Sequence, residues 1–310
     1  MKYDEAYCSL LKDKLTIYEV RDLNFDETDE YDSDDSTFFC PDDECRDEVG
    51  KKSKLAVVNA KKRKYIKTPH FKDTPNTEHR ESCPYGNPAQ LSVSKDPEST
   101  HVEGVKEHHF PTEFIPVRKR YTKKIEKEKP EGHCDQSVTT SKPKPQSNTS
   151  RGKSTNRTSV LEHIVECYVS NKDDKDTLKS MPLAIGDLKL NYWSFFKQIR
   201  YFQDREGLIY WGKIKQIKNY EFSFRFDFVD WANDKSICLY IKKSVIDSYR
   251  KKRIFLEEIR ELIKDNGEKY CFFYGTYPQL KTIKNGESEF EVYNGEVENL
   301  DHLLIRTIKP

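Results

Sequence analysis

Hydrophobic residues in the C-terminal half of the chain follow first a helical period and then a strand period. Apolar side chains recur at helical spacing over residues 160–168 and 190–204, so each segment predicts a helix with one face in a core. Ser159 and Glu162 have the spacing of a capping box at the start of the first helix. The period then changes to two, which predicts strands over residues 208–214, 221–229, 236–243 and 270–277.

The alternation is strictest over residues 221–229. It predicts an inward face that consists only of phenylalanines, namely Phe222, Phe224, Phe226 and Phe228. The opposite, outward face then holds Ser223, Arg225 and Asp227. Further along, apolar spacing predicts a helix over residues 245–264, a hairpin tip at 290–294 and a last strand over 302–308.

This element order predicts the fold of the C-terminal half. Three strands, a helix and two strands are the order of an OB-fold, a small five-stranded barrel. Gly212 and Gly275 stand where the first and fourth strands would coil sharply. A different α+β domain is the alternative. The expected fold class is therefore α+β, with a C-terminal OB-like five-stranded β-barrel preceded by helices.

The N-terminal half divides into an ordered unit and a linker. Residues 1–21 predict a pairing or helical segment that packs on the unit behind it, and an apolar island at residues 108–117 is assigned to the same unit. Residues 131–157 are rich in Lys, Ser, Thr and Pro, a composition that cannot bury enough apolar surface to offset its ordering entropy. The predicted domains are a small zinc-binding domain with an acidic loop, a basic, flexible, disordered linker, and helices plus the OB-like barrel, over residues 1–117, 118–157 and 158–310.

The composition limits the number of domains and the cellular compartment that can be expected. The 310 residues allow about two domains, and the 35% hydrophobic share is low, so part of the chain is expected to lie outside any core. No apolar run is long enough to span a membrane, and the charged N-terminus does not fit a signal peptide. Apart from one cluster, the eight cysteines are scattered and do not form a disulfide framework. A reducing cytoplasm is the expected compartment.

That cluster lies in residues 38–86, which hold few large apolar side chains. Cys40 and Cys45 form a C-x4-C pair that a turn at Pro41 would close, and His79 and Cys83 form an H-x3-C pair. A unit of this size usually needs a metal or a disulfide. Three Cys and one His suit a closed tetrahedral Zn²⁺ site of the structural kind. Chance clustering is the alternative, and His70 is expected to be a structural residue or a neighbour of the ligands.

Three motifs in this segment, FFCPDDEC, KRKYIKTPHF and EHRESCP, carry a family resemblance. Together they resemble the zinc-binding module at the N-terminus of competence-protein-type (CoiA-like) nucleases and of other bacterial and phage proteins. The resemblance covers about residues 38–86. It implies a zinc module and does not by itself carry an activity to this chain.

Charge is strongly segregated along the chain although the net charge is +1. An acidic run over residues 22–35 precedes a basic segment that includes one aromatic ring, namely Lys61, Lys62, Arg63, Lys64 and Tyr65. Basic side chains around an aromatic suit phosphate contacts and base stacking, and the acidic run would shield them. The alternatives are a solvated loop and a soluble strand with one core-facing tyrosine.

Catalytic motifs are missing from the sequence: it has no G-x4-GK[ST], no G-x-S-x-G and no H-E-x-x-H. A metal-dependent nuclease would need several carboxylates. Asp227 or Asp230 offers a first one, but the next predicted strand, over residues 236–243, carries none. We therefore expect that the chain is not an enzyme.

These observations predict a non-enzymatic protein that binds single-stranded DNA or RNA. Its zinc module would hold Zn²⁺, and its barrel face would contact the strand through Trp211, Lys213, Arg225, Tyr240 and Lys242. One alternative is a protein-interaction factor, such as an adaptor or inhibitor from a phage or mobile element. A second alternative is a diverged metal-dependent nuclease. The expected partners are nucleic acid and, in the first alternative, another protein; no membrane is expected.

Overall fold

The computed structural model describes residues 2–26, 31–65, 67–86, 110–117, 157–203, 205–285 and 288–308. These residues form a mixed α+β fold with two separate hydrophobic cores, one in each half of the chain. The fold class is therefore α+β, as the sequence predicts. Apart from Arg157, the predicted linker lies outside the described residues.

The N-terminal unit is built on a six-stranded sheet in which all neighbouring strands are antiparallel. Its spatial order is β1-β6-β5-β4-β2-β3. The strands are β1 (Lys2–Tyr3), β2 (Glu5–Cys8), β3 (Asp13–Thr16), β4 (Phe38–Phe39), β5 (Lys54–Val58) and β6 (His70–Asp73). The helices are α1 (Ile17–Asn24) and α2 (Asp43–Val49), and a 3₁₀ turn follows at Gly50–Ser53.

Helix α1 begins with a complete capping box. The Thr16 hydroxyl accepts from the Glu19 backbone amide, and the Glu19 carboxylate accepts from the Thr16 amide, so two orphan donors are satisfied. Ile17, Val20 and Leu23 are buried in the N-terminal core. The predicted packing of the first residues on this unit is therefore present, as strands followed by a helix.

The described part of the apolar island, residues 110–117, joins the C-terminal unit instead of the N-terminal one. It contains β7 (Glu113–Phe114), which lies parallel to β8 (Arg157–Thr158) and to β9 (Pro182–Ile185). Antiparallel to β9, β10 (Leu188–Asn191) completes a four-stranded sheet. Phe114 is fully buried in the C-terminal core, so backbone pairing and ring burial both tie the island to that half.

The main C-terminal sheet has eight strands among the described residues. Along the sheet the order is β16-β17-β14-β13-β12-β15-β18, and β11 pairs with β12 in parallel. The strands are β11 (Phe196–Gln198), β12 (Ile209–Tyr220), β13 (Ser223–Ala232), β14 (Lys235–Ile241), β15 (Glu268–Tyr274), β16 (Gln279–Asn285), β17 (Ser288–Val297) and β18 (Leu303–Ile308). The helices of this half are α3 (Leu161–Ser170), α4 (Lys175–Ser180), α5 (Tyr192–Phe195), α6 (Lys243–Asp247) and α7 (Lys252–Lys264).

A closed five-stranded OB-like barrel is not confirmed. Among the described residues, β15 pairs with β12 and β18, and β17 pairs with β14 and β16, so no strand pair closes the sheet. The predicted hairpin tip at 290–294 is instead the middle of β17, which adds to β14 in parallel. Hydrophobic periodicity shows which residues are extended but not which strands pair. The pairing of the strands decides whether the sheet closes into a barrel.

Three local predictions differ from the structure. The predicted helix at 190–204 is broken into α5, β11 and a 3₁₀ turn at Ile199–Tyr201, because β11 pairs with β12. The predicted helix at 245–264 is split into α6 and α7. The capping box predicted for α3 is absent: its N-cap is Val160, which has no side-chain cap.

The phenylalanine stripe of β13 is one residue shorter than predicted. Phe224, Phe226 and Phe228 are buried, whereas Phe222 is 58% exposed. Phe222 precedes the strand, in a turn where Glu221 has φ 56°, so it does not follow the alternation. Ser223 and Asp227 are buried as well, so the face predicted to be outward is partly covered.

The two units are in direct contact through polar side chains. Arg250 donates to Asp22 and Asp26 across this contact, and Arg21 lies 3.5 Å from Glu162. The rings of Tyr18 and His163 stack with centroids 4.4 Å apart. None of the helices in the described ranges is long and apolar enough to cross a membrane.

Candidate metal centre and predicted nucleic-acid residues

The four predicted metal ligands come from three places in the N-terminal unit. Cys40 directly follows β4, Cys45 lies in the first turn of α2, and His79 and Cys83 lie in the turns after β6. Asp42 is the N-cap of α2 and accepts from the Cys45 backbone amide at 3.2 Å. This cap makes the tight turn between the two cysteines, as the C-x4-C spacing predicts.

The ligand atoms converge on one point. All four lie within 4.8 Å of one another, and the three cysteines are fully buried. The Cys40 and Cys83 sulfurs are 3.6 Å apart, and His79 Nδ1 lies 3.6 Å and 3.5 Å from the sulfurs of Cys45 and Cys83. Tetrahedral zinc, with Zn–S of about 2.3 Å and Zn–N of about 2.0–2.1 Å, requires S···S of about 3.8 Å and S···N of about 3.5 Å. These residues could therefore hold a metal ion.

Asp73 orients the histidine ring. Its carboxylate lies 3.1 Å from His79 Nε2 and also accepts from the Tyr3 hydroxyl at 2.7 Å. With Nε2 engaged in this way, Nδ1 is the nitrogen that faces the sulfurs. A carboxylate behind a ligating histidine is a recurrent arrangement that sets the tautomer and raises the basicity of the ligand. Burial alone would raise the pKa of Asp73, but the hydrogen bonds from His79 and Tyr3 lower it.

The thiol cluster would be stabilised by a cation. Burial, and the neighbouring Cys83 and Cys45, raise the pKa of the Cys40 thiol, against a backbone hydrogen bond from Asp42 that lowers it. Burial also raises the pKa of Cys83. A divalent ion reverses this tendency because it binds the thiolate form. The donor chemistry therefore fits a metal ion better than it fits four neutral groups.

Two residues of the centre belong to no sequence pattern that marks a metal site. Gly86 is one: a Cβ there would stand 2.5 Å from His79 Cβ, so only glycine allows the chain to pass this close. Asp73 is the other, and its place in the centre depends on the position of β6 beside His79. His70 lies in β6 with Nδ1 2.8 Å from the Thr68 carbonyl oxygen and is not one of the clustered donors.

The basic segment makes contacts within the protein. Lys61 pairs with Asp32 and Asp34 of the acidic run, so the two oppositely charged segments do meet. Arg63 and Lys64 pair with carboxylates of α7 at 2.6 Å and 2.9 Å, from Glu257 and Glu261. Lys62 is exposed.

Tyr65 lies in the contact between the two units. Its hydroxyl donates to the Glu162 carboxylate at 3.0 Å. The guanidinium groups of Arg21 and Arg306 lie 4.8 Å and 5.6 Å from the centre of its ring. Burial, with the nearby Glu162 charge, raises the pKa of Tyr65. The ring is therefore engaged by this interface and does not stand free for base stacking.

The residues predicted on the barrel face also have partners within the chain. Lys213 pairs with Glu268, and Lys242 pairs with Glu296. Tyr240 donates to the Ser223 hydroxyl at 2.8 Å, and Arg225 Nε donates to Asp227 at 2.6 Å. The Trp211 ring packs near those of Tyr270 and Phe272. Each of these side chains therefore has a partner within the chain, and its contact with nucleic acid stays a prediction.

The two candidate nuclease carboxylates are occupied by neighbours. Asp227 accepts from Arg225 and Gln216 and lies 3.0 Å from the Lys218 amine. Asp230 accepts from Gln198 Nε2 at 3.1 Å. In the part of the chain that the structure describes, the only group of three or more side chains placed to hold a metal ion is the Cys3His cluster.

The C-terminal unit also exposes aromatic rings that the sequence patterns do not predict as site residues. Tyr220 and Phe222 stand at the turn between β12 and β13, and the Lys243 amine lies 4.2 Å from the centre of the Phe222 ring. Tyr201 and Trp231 are also exposed. In the sequence, a turn between two aromatic-rich strands could mark these exposed rings. The strict alternation over residues 221–229 instead predicts that Phe222 lies in the core.

No model of a known protein family matches this sequence, and no curated protein matches it. The resemblance to CoiA-like zinc modules therefore rests on residues 38–86 alone.

Proposed function

We propose that this chain is a zinc-stabilised, non-enzymatic protein that binds single-stranded nucleic acid. The zinc part is supported by the Cys3His cluster, because three soft thiolates and one imidazole are the donor set of structural zinc. Zn²⁺ would tie β4, α2 and the turns after β6 together. With four protein donors the coordination is complete, so the ion stabilises the unit and offers no position to a substrate.

The observation that carries the nucleic-acid part is the tip of the β12–β13 hairpin. Tyr220 and Phe222 are 49% and 58% exposed there, and Lys243 covers the Phe222 ring. A base can stack on an exposed ring while the lysine contacts a phosphate. Lys215 is exposed on the same hairpin and adds a second cation.

Strand pairing supports an OB-like arrangement as part of this proposal. Strands β12, β13 and β14 form a meander, β15 returns to pair with β12, and β17 adds to β14. The OB-fold is a five-stranded, partly open Greek-key barrel, and its first loop takes part in oligonucleotide binding. In this proposal the hairpin tip is the equivalent of that loop.

The test is salt-dependent binding of the whole protein to fluorescent single-stranded DNA and RNA. Losing one stacked base weakens binding by roughly 5- to 150-fold, so Phe222→Ala should raise the Kd in that range. Phe290→Ala is the matched control, because Phe290 is an exposed phenylalanine on β17. Absence of binding at low salt would contradict the proposal, and equal losses in both variants would contradict the role of the hairpin.

A further inference from the structure

A cavity of about 660 Å³ opens at the end of the C-terminal sheet, apart from the metal centre and the hairpin tip. Three segments line it: residues 200–202, residues 231–233 and residues 277–280, together with Tyr293. Its volume falls within the range of about 300–1,000 Å³ that is usual for small-molecule sites. None of the functions considered for the sequence uses these residues.

Five of the eleven residues that line this cavity are aromatic. Phe202 packs edge-on against Tyr293, with ring centroids 4.9 Å apart, and the Tyr293 hydroxyl accepts from Asn233 Nδ2 at 2.9 Å. These contacts hold one side of the cavity in place. Tyr201 and Trp231, by contrast, are 62% and 57% exposed, so each presents ring surface to a ligand, although the Arg200 guanidinium lies over one face of Tyr201.

The polar groups of the cavity favour an anionic ligand with hydrogen-bonding edges. Arg200 carries the positive charge, and its guanidinium lies 4.9 Å from the centre of the Tyr201 ring. Asn233 and Gln279 supply side-chain amides, and none of the described residues that line the cavity is acidic. A nucleotide combines a flat ring that stacks, an edge that accepts and donates hydrogen bonds, and a phosphate that pairs with a guanidinium.

We infer that this cavity binds one base of a single-stranded nucleic acid, stacked on Trp231 or Tyr201, with Arg200 on the adjoining phosphate. The inference rests on the proposed function and assigns it a second contact, distinct from the hairpin tip. The cavity would have little base specificity, because every base can stack on a ring and the side-chain amides can rotate to match the edge of the base.

Fluorescence of the full-length protein provides the test, with a six-nucleotide oligo-dT and adenosine monophosphate as probes. Trp231→Ala should weaken oligo-dT binding by roughly 5- to 150-fold, the range for one lost stack. Trp231→Phe should restore most of the affinity because it keeps a ring. Arg200→Gln should weaken binding at low salt and reduce its salt dependence.

Trp193→Ala is the matched control, since Trp193 is an exposed tryptophan outside the cavity. Quenching by adenosine monophosphate should persist in this variant and disappear in Trp231→Phe. The inference is overturned if Trp231→Ala and Arg200→Gln bind oligo-dT as the wild type does. In that case a loss in Phe222→Ala would leave the proposed function standing, whereas no oligonucleotide binding at all would remove both. Quenching by a proline-rich peptide, but by neither oligo-dT nor adenosine monophosphate, would also overturn the inference, in favour of a protein partner.

Discussion

Asp73 decides which nitrogen of His79 faces the three cysteine sulfurs. Its carboxylate is held by the Tyr3 hydroxyl from β1, the strand that pairs with β6. The sheet therefore positions the carboxylate, the carboxylate positions the imidazole, and the imidazole completes the donor set. The ligands themselves follow from the sequence, because their spacing and softness are local properties. Asp73 does not, since an aspartate at the end of a strand has no distinguishing pattern.

Replacing Asp73 should weaken the metal site without removing a ligand. We expect Asp73→Ala to lower zinc affinity by about 10- to 100-fold, because the His79 ring loses its orientation and basicity. Competition with a chromophoric chelator measures this. His70→Ala is the control and should keep wild-type affinity. An equal loss in the control would indicate that unfolding, and not the His79 contact, causes the effect.

The ligands should differ from the other thiols in metal content. Cys40→Ser and Cys83→Ser should each reduce bound zinc below one ion per chain, because Ser is a poor zinc ligand. Cys238→Ser and Cys271→Ser should not, since these buried cysteines lie in the C-terminal unit. Elemental analysis of the purified variants distinguishes the two groups. Full zinc in Cys83→Ser would exclude the proposed ligand set.

At the scale of single elements, the β12–β13 hairpin shows where the alternation of buried and exposed side chains ends. Phe226 is fully buried in the middle of β13, whereas Phe222, four residues earlier in an apparently unbroken alternation, is exposed in the turn. Alternation holds only while the chain stays extended. The positive φ of Glu221 ends it, and nothing in the period of the phenylalanines marks that point.

The two phenylalanines should therefore differ in their contribution to stability. Phe226→Ala should lower the free energy of unfolding by roughly 3–5 kcal/mol, the usual cost of removing a buried ring. Phe222→Ala should change it by less than about 0.5 kcal/mol, as surface substitutions do. Urea unfolding followed by circular dichroism compares them. Similar losses in both would mean that Phe222 packs in the core after all.

At the scale of the whole molecule, the two units are joined by a network of buried charges. Arg250 and Lys251 face Asp22, while Arg21 and Arg306 face Glu162 from opposite units. Burial would raise the pKa of Glu162, but the two arginines, Arg306 first, lower it to about 2. The carboxylate is therefore ionised at neutral pH. Removing one member of such a buried set is expected to cost several kcal/mol.

This contact should respond to acid through His163. Burial lowers the pKa of its ring, stacked on Tyr18, from 6.5 to about 3. The unfolded chain then binds a proton below pH 6.5 that the folded chain does not, so stability falls as the pH drops from 6.5 towards 3. Between pH 7 and pH 5 the wild type should lose about 2 kcal/mol more than His163→Phe, which keeps the stacking but cannot titrate.

Urea titrations of both proteins at the two pH values measure that difference. Glu162 contributes little there, because its own loss of stability begins only below the unfolded pKa of 4.5 and runs down to about 2. Any acid release of metal from the N-terminal unit is common to both proteins and cancels. Parallel pH profiles for wild type and His163→Phe would show that the ring is solvated or protonated in the folded state.

Metal removal from the N-terminal unit should also lower the stability of the C-terminal unit through the same contact. The linker by itself predicts loose coupling, in which chelator unfolds the N-terminal unit and leaves the C-terminal half unchanged. The ion pairs of Arg250 with Asp22 and Asp26 lead us to expect instead that chelator also lowers the Tm of the C-terminal transition by several degrees.

Asp22→Asn provides the control for this coupling. It weakens the contact in the presence of metal, because Arg250 and Lys251 lose the Asp22 charge while Arg250 keeps Asp26. The C-terminal Tm should therefore already be lower, and chelator should change it less than in the wild type. Differential scanning calorimetry of both proteins, with and without chelator, gives the four values. A C-terminal transition that chelator leaves unchanged in the wild type would restore the loosely coupled description.

The four clustered donor residues, the burial of most apolar stripes and the α+β class follow from the sequence alone, because spacing and periodicity act over a few residues. By contrast, three arrangements become visible only in the folded protein: Phe114 joins the C-terminal core, β17 pairs with β14, and Arg63, Lys64 and Tyr65 face carboxylates of the other half. Each of these is a choice of partner between segments far apart in the chain. Such choices depend on shape and charge complementarity of the folded surfaces, and no local pattern of residues encodes them.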